Sequence, residues 1–209
     1  MIPAEMTGGW VRNGITMNGA EPAAENTVVW WLQAPTKHCD LRVPHEGTDG
    51  VMSFAGTTSW AEPSLTWSPE IELDRSIFED VGVISWDGND LIETGVSYEG
   101  ERTISYVERW QRLPGGSGEL LALSSPSGRL VRTGRYALTI VDQRLAGGTF
   151  AAVAWIWQGE EWVIDHCWPV GATAPAPPAS VGDGQATVVL SDGIEWTVDE
   201  HWKVSDISG

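Results

Sequence analysis

Short runs of β-branched and aromatic residues recur along the chain, separated by Gly, Pro, Asn and Asp, while the 3.6-residue period of an amphipathic helix is nearly absent. That pattern predicts an all-β protein. Strands are expected at 9–17, 27–33, 39–43, 50–58, 65–73, 81–86, 90–97 and 103–113. Pro44-His45-Glu46-Gly47 marks a turn, and Asp87-Gly88-Asn89-Asp90 is a strong hairpin signal.

Pro114-Gly115-Gly116-Ser117-Gly118 interrupts the series near mid-chain with the composition of a flexible hinge. Strands resume at 120–124, 129–133, 135–142, 149–158, 161–168, 185–190 and 194–204. Two lobes follow: an N-terminal β-barrel lobe at 1–113, the hinge at 114–118 and a C-terminal β lobe at 119–209. The Pro- and Ala-rich stretch 171–184 is expected to be an irregular loop rather than a boundary. Tyr106-Val107-Glu108-Arg109-Trp110 and Val198-Asp199-Glu200-His201-Trp202 share an x-x-Glu-x-Trp form, a weak echo between the halves.

Residues two apart on a strand share a face, which makes misplaced carboxylates conspicuous. Glu108 falls with Ile104, Tyr106 and Trp110, and Glu200 with Ile194, Trp196, Val198, Trp202 and Val204. Glu93 shares its face with Leu91 and Gly95. A carboxylate on an apolar face must be paired or protonated, and desolvation raises its pKa, as general acid–base chemistry requires. The plainer alternative is that each meets an arginine such as Arg42 or Arg109, or sits at an open rim. His38, Asp40 and Arg42 form a polar line alternating with Cys39, Leu41 and Val43, and alternation favours an outward, solvated polar face. Val28-Val29-Trp30-Trp31-Leu32 shows no alternation.

Composition narrows the partner. With 12 Lys+Arg against 29 Asp+Glu the formal charge is −17, so no basic stripe is available for nucleic acid or anionic lipid. No apolar run approaches a membrane span, and Met1-Ile2-Pro3-Ala4-Glu5 lacks a secretory n-region, so no membrane association and a cytoplasmic location are expected. Thirteen Trp against three Tyr and three Phe suit half-wet cavity walls as well as a β-rich core. Cys39 and Cys167 are expected to be free thiols. The His and Cys spacings fit no metal motif, and no phosphate loop or nucleophile elbow appears, so no metal and no cofactor is expected.

Several segments resemble the Hri family of fungal proteins and their bacterial relatives. These are Phe54-Ala55-Gly56-Thr57, Trp86-Asp87-Gly88 leading into Glu93-Thr94-Gly95, Tyr106-Val107-Glu108-Arg109-Trp110-Gln111 and the tail Gly193-Ile194-Glu195-Trp196-Thr197-Val198. The likeness covers the first lobe best and the second only at its end. It implies a lipocalin-like architecture of two β-barrel lobes and no particular activity. The polar line 38–42 and the loop 171–184 match nothing in it.

Three functions fit. A lipocalin-like binding protein would enclose a small apolar or aromatic molecule with Trp30, Trp67, Trp86, Tyr106 and Trp110, while Arg42 or Glu108 fixes a polar end. A cofactor-free isomerase, cyclase or dehydratase would use Glu108, Glu93 or His38 as acid or base in the same cavity. A protein-interaction module would spend its Trp residues on a partner or homodimer surface.

Overall fold

The computed structural model describes residues 1–21, 25–47, 49–74, 79–99 and 102–203; of Glu99 only the backbone is described. The predicted Val204 end of the last strand lies outside these residues. Both 3-10 turns are three residues long, and among the described residues no helix is long and apolar enough to cross a membrane.

Eight antiparallel strands close into a barrel in chain order: β1 (Gly8–Met17), β2 (Thr27–Gln33), β3 (Lys37–Pro44), β4 (Met52–Ala61), β5 (Ser64–Glu72), β6 (Asp80–Asp87), β7 (Asp90–Glu99) and β8 (Arg102–Arg112), with β8 pairing back to β1. Closure removes every free edge. The β6–β7 hairpin turns where the sequence predicts, with Gly88 at φ 63° in the first central position, where glycine relieves a type II′ turn. Ile2, just before a 3-10 turn at Ala4–Met6, and Met6, its last residue, plug one end; Trp10 Nε1 donates to the Met6 carbonyl at 3.0 Å.

The second lobe is an open sheet rather than a second barrel. Its order is β13 (Trp162–Trp168), β12 (Phe150–Trp157), β11 (Tyr136–Asp142), β10 (Gly128–Thr133), β9 (Leu120–Ser125), β15 (Glu195–Trp202) and β14 (Thr187–Val189). One face packs on the outside of the barrel: Trp30, Leu32, Cys39, Leu41 and Ala55 meet Val131, Tyr136, Leu138, Ile140 and Phe150 in a shared core. The other face is covered by the 171–184 segment, whose small residues Ala172, Ala174 and Ala176 lie against Trp155 and Trp162. Thr139 Oγ1 donates to the Pro175 carbonyl at 3.0 Å and accepts from Trp155 Nε1 at 3.2 Å, fastening that strap. A sheet apolar on both faces needs two covers, and these supply them.

Residues 114–118 are braced to both lobes, so the glycine-rich join is not a free hinge. Gly9 N–H donates to the Gly116 carbonyl at 2.9 Å, and Arg135 N–H to the Gly115 carbonyl at 3.1 Å. Close backbone approach explains the glycines, since a Cβ at Gly116 would lie 3.2 Å from the Gly9 Cα. Cys39 and Cys167 are free thiols; Cys39 lies buried in the shared core, and burial raises its pKa.

Candidate functional site

The barrel lumen is layered. Its plugged half is apolar: Trp10, Trp31, Trp67 and Trp110 pack with Leu65, Ile84 and Leu91, and Trp31 stands at the hub, with ring centres 6.1, 5.5 and 5.4 Å from Trp10, Trp67 and Trp110. Above this floor the walls turn polar. Asp40 and Arg42 project from β3, Asp80 from β6, Glu93 from β7, and Tyr106 and Glu108 from β8; Arg12 enters from β1. Cross-strand register sets Asp40 beside Phe54 and Trp31, and Glu93 beside Glu108.

Two glycines make room. A Cβ at Gly82 would come within 2.6 Å of Glu93 Cγ, and one at Gly95 within 2.2 Å of the Tyr106 hydroxyl. Both interrupt β-strands because a side chain from the neighbouring strand occupies their space.

Two arginines serve the carboxylates. Arg12 bonds Glu108 at 2.6 Å and Glu25 at 2.8 Å; Arg42 bonds Asp40 at 2.9 Å, lies 3.6 Å from Glu108 and stacks over Phe54 at 5.6 Å. Burial opposes the Arg12 charge, but hydrogen bonding from Glu25 and attraction by Glu108 outweigh it and raise the pKa. Arg42 behaves alike through Asp40 and Glu108. Burial raises the pKa values of Asp40 and Asp80, with Arg42 opposing.

Glu93 differs. It is buried, no arginine among the described residues bonds it, and desolvation followed by repulsion from Glu108 and Asp80 lifts its pKa well above 4.5. Its Oε1 lies 3.0 Å from the Tyr106 hydroxyl, its Oε2 accepts from Trp110 Nε1 at 3.1 Å, and the Tyr106 hydroxyl is 3.1 Å from Asp80. The single Tyr106 hydroxyl proton cannot serve both carboxylates, so the cluster is fully satisfied when one of Glu93 and Asp80 carries a proton. Burial and these carboxylates raise the Tyr106 pKa as well.

A raised folded pKa confers stability that is full below the unfolded value and lost as pH rises toward the folded one. Glu93→Gln reproduces the protonated acid's donor and acceptor without ionising. It is expected to match the parent near pH 4 and exceed it at pH 8, the parent losing up to about 1.4 kcal/mol per pH unit between its two pKa values. Urea unfolding at both pH values tests this; a variant less stable than the parent at pH 8 means that Glu93 is ionised in the fold.

Among these charges and rings lies a cavity of about 10 Å³, enough for about one water, lined by Trp31, Asp40, Arg42, Phe54, Trp67, Asp80, Glu93 and Trp110. Among the described residues no group of His, Cys, Asp and Glu is arranged to hold a metal.

The predicted residues divide sharply. Glu93, Arg42, Trp67 and Trp110 line the cavity, and Glu108 and Tyr106 stand beside it. The 38–42 polar line faces the lumen, opposite to the expected direction, because the apolar side of β3 is claimed by the second sheet. Trp30 is not a lumen residue; it packs edge-on against Tyr136 and His166 on the barrel's outer face. Trp86 sits at the plugged rim, 42% exposed and 6.0 Å from Trp10. His38 is buried away from the cavity with Nδ1 2.9 Å from Thr58 Oγ1, and burial pushes its pKa down to about 3. Glu200 accepts from the Thr36 N–H at 2.8 Å and from its hydroxyl, joining the lobes.

Sequence reasoning missed Asp80, Arg12 and Trp31. Asp80 was within reach, since alternation places it with Gly82 and Ile84. Arg12 was not, because a bulge between Arg12 and Gly14 shifts the register there.

A family model described as Protein HRI1 matches residues 10–200. The fold is similar to the crystal structure of the uncharacterized protein YLR301w from Saccharomyces cerevisiae, with a TM-score of 0.74 and 15% identity over 93% of this chain and 98% of that one. At that identity the likeness speaks for the fold alone. No curated protein matches the chain.

Proposed function

From the premise that this chain belongs to the HRI1 family, we propose that its barrel is a small-molecule binding site. The single observation that carries this reading is the cavity lined at once by Trp31, Trp67, Trp110 and Phe54 and by Asp40, Arg42, Asp80 and Glu93. Buried charges are poor stabilisers compared with apolar packing, so a charged layer above a tryptophan floor suits recognition better than it suits a core. The space takes only a small end group. A ligand with an apolar or aromatic body would lie toward the unplugged end, its polar tip displacing about one water. Carboxylates outnumber guanidinium groups on the lining, so that tip is a hydrogen-bond donor or a cation, an amine above all.

Glu93 supports a second reading, a cofactor-free acid–base enzyme of the isomerase, cyclase or dehydratase kind. The acid there is Glu93, whose pKa burial raises, rather than the arginine-paired Glu108. Titrating tryptophan fluorescence with aromatic amines, and with the matching aromatic carboxylates, tests binding. Saturable quenching by the amines, weakened at least tenfold by Trp67→Phe and absent with the carboxylates, is expected. No quenching by any amine up to millimolar concentration rejects the site. Turnover of a bound compound that survives in the parent and vanishes in Glu93→Gln, with affinity intact, selects the enzyme.

A further inference from the structure

The two lumen arginines are both engaged. Arg42 holds Asp40 at 2.9 Å and lies 3.6 Å from Glu108, while Arg12 holds Glu108 at 2.6 Å and Glu25 at 2.8 Å. Among the described residues no basic side chain pairs with Asp80 or Glu93, which meet instead at one phenol. The Tyr106 oxygen is 3.1 Å from Asp80 Oδ1 and 3.0 Å from Glu93 Oε1. A phenol has one proton, so if both acids ionised, one of these contacts would set oxygen against oxygen with no hydrogen between them. An added proton completes the cluster and acts as the smallest cation the site can take. On β5 Glu72 adds a further acid, in register beside Phe54, and β2 and β4 carry no charged residue. Among the described residues, carboxylates therefore outnumber guanidinium groups around the cavity even with one acid of the pair protonated.

We infer that the lumen is an exchange site, in which the ammonium head of a primary amine replaces the proton held between Asp80 and Glu93. Exchange rests on the lumen being an amine-binding site, and it couples that binding to protons. The cavity of about 10 Å³ matches one water, and an ammonium group is about that size. Its three N–H donors suffice for Asp80, Glu93 and Asp40, all on the lining, where Trp31, Trp67 and Phe54 add aromatic rings that favour a cation. A trimethylammonium head exceeds the space and has no N–H to give. The amine enters already protonated, the carboxylic acid of the pair loses its proton to bulk water, and Tyr106 keeps its own. One positive charge thus replaces another, and the net charge of the lumen is unchanged. Amine affinity then rises with pH, by up to about tenfold per unit, for as long as the free cluster holds its proton. Such a protein loads an amine at neutral or alkaline pH and releases it in acid.

Tryptophan fluorescence titrations of the full chain with benzylamine, an ammonium throughout pH 5 to pH 8, test the coupling, and calorimetry in phosphate and MES buffers at pH 6 counts the protons. Expected are a Kd at least about tenfold lower at pH 8 than at pH 5, and release of about half a proton or more per amine bound. Glu93→Gln and Asp80→Asn each remove the exchangeable proton. Both variants should bind benzylamine at least about tenfold more weakly than the parent at pH 8, approach the parent at pH 5 and release no proton. Benzyltrimethylammonium should not displace benzylamine. Four results each overturn the exchange while leaving the binding site standing: a Kd flat with pH, binding without proton release, displacement by benzyltrimethylammonium, or both variants as tight as the parent at pH 8. No saturable binding of benzylamine at any pH removes the site and the exchange together.

Discussion

Replacing Arg42 by Met is expected to cost the fold about 3–5 kcal/mol at pH 7, the penalty for removing one partner of a buried ion pair. The Arg42 guanidinium bonds both Asp40 oxygens, at 2.9 and 3.3 Å, and Asp40 is 2% exposed. Met fills much of the same space against Phe54 and Trp110, so packing changes little and the loss is chiefly electrostatic. Glu108 keeps Arg12; among the described residues Asp40 keeps no cation within bonding distance. Two consequences distinguish this from a cavity effect. First, Arg42→Met with Asp40→Asn should recover most of the loss, because the orphaned charge is gone. Second, the deficit should shrink as pH falls, since burial already raises the Asp40 pKa and protonation relieves the stranded carboxylate. Urea midpoints for the parent, both single variants and the double variant, at pH 7 and pH 5, measure this. A cost below about 1 kcal/mol, or a double variant no better than Arg42→Met, would mean that water reaches Asp40 and the lumen is not a low-dielectric site.

How much of this arrangement was legible depended on what covers each strand. β8 is bare on its outer side, so its alternation is clean, and Glu108 and Tyr106 were placed in the lumen correctly from pattern alone. Both faces of β3 are buried. The rule that apolar residues face the interior then has two interiors to choose from, and it chose the wrong one for His38, Asp40 and Arg42. β2 fails in the same way: Trp31 belongs to the lumen and Trp30 to the interface between lobes, and a strand apolar on both sides carries no sign of which is which. The resemblance suggested two barrels, yet the second sheet stays open because the 171–184 strap covers the face that closure would have covered. Local composition marked that segment as irregular but held no information on what it would lie against.

His38 should contribute a large loss of stability on the acid side of the profile. Its pKa is about 3 in the fold against 6.5 in the unfolded chain. Below pH 6.5 the unfolded state therefore takes up a proton that the native state refuses, and stability falls by about 1.4 kcal/mol per pH unit until the folded pKa is reached. Over that window the loss amounts to about 4–5 kcal/mol, comparable to the whole stability of many domains. Burial is the main cause, with Lys37 adding to it and Glu70 opposing it. Among the described residues Nε2 has no hydrogen-bond partner, and burial outweighs the Glu70 charge and the Thr57 backbone hydrogen bond that favour an imidazolium. Glu93, Asp40, Asp80 and Glu200 act with the opposite sign, since raised carboxyl pKa values favour the fold as pH falls, so the His38 contribution is read from the difference between the parent and a His38 variant rather than from the parent curve. His38→Gln keeps a hydrogen-bonding group near Thr58 but cannot be charged. Between pH 6.5 and 3.5 the variant should lose about 4 kcal/mol less than the parent, whatever its stability at neutral pH. Unfolding curves at intervals of half a pH unit give both slopes. Parallel curves would mean that His38 is protonated without cost in the native protein, and hence that the end of the lumen beyond the tryptophans is open to water.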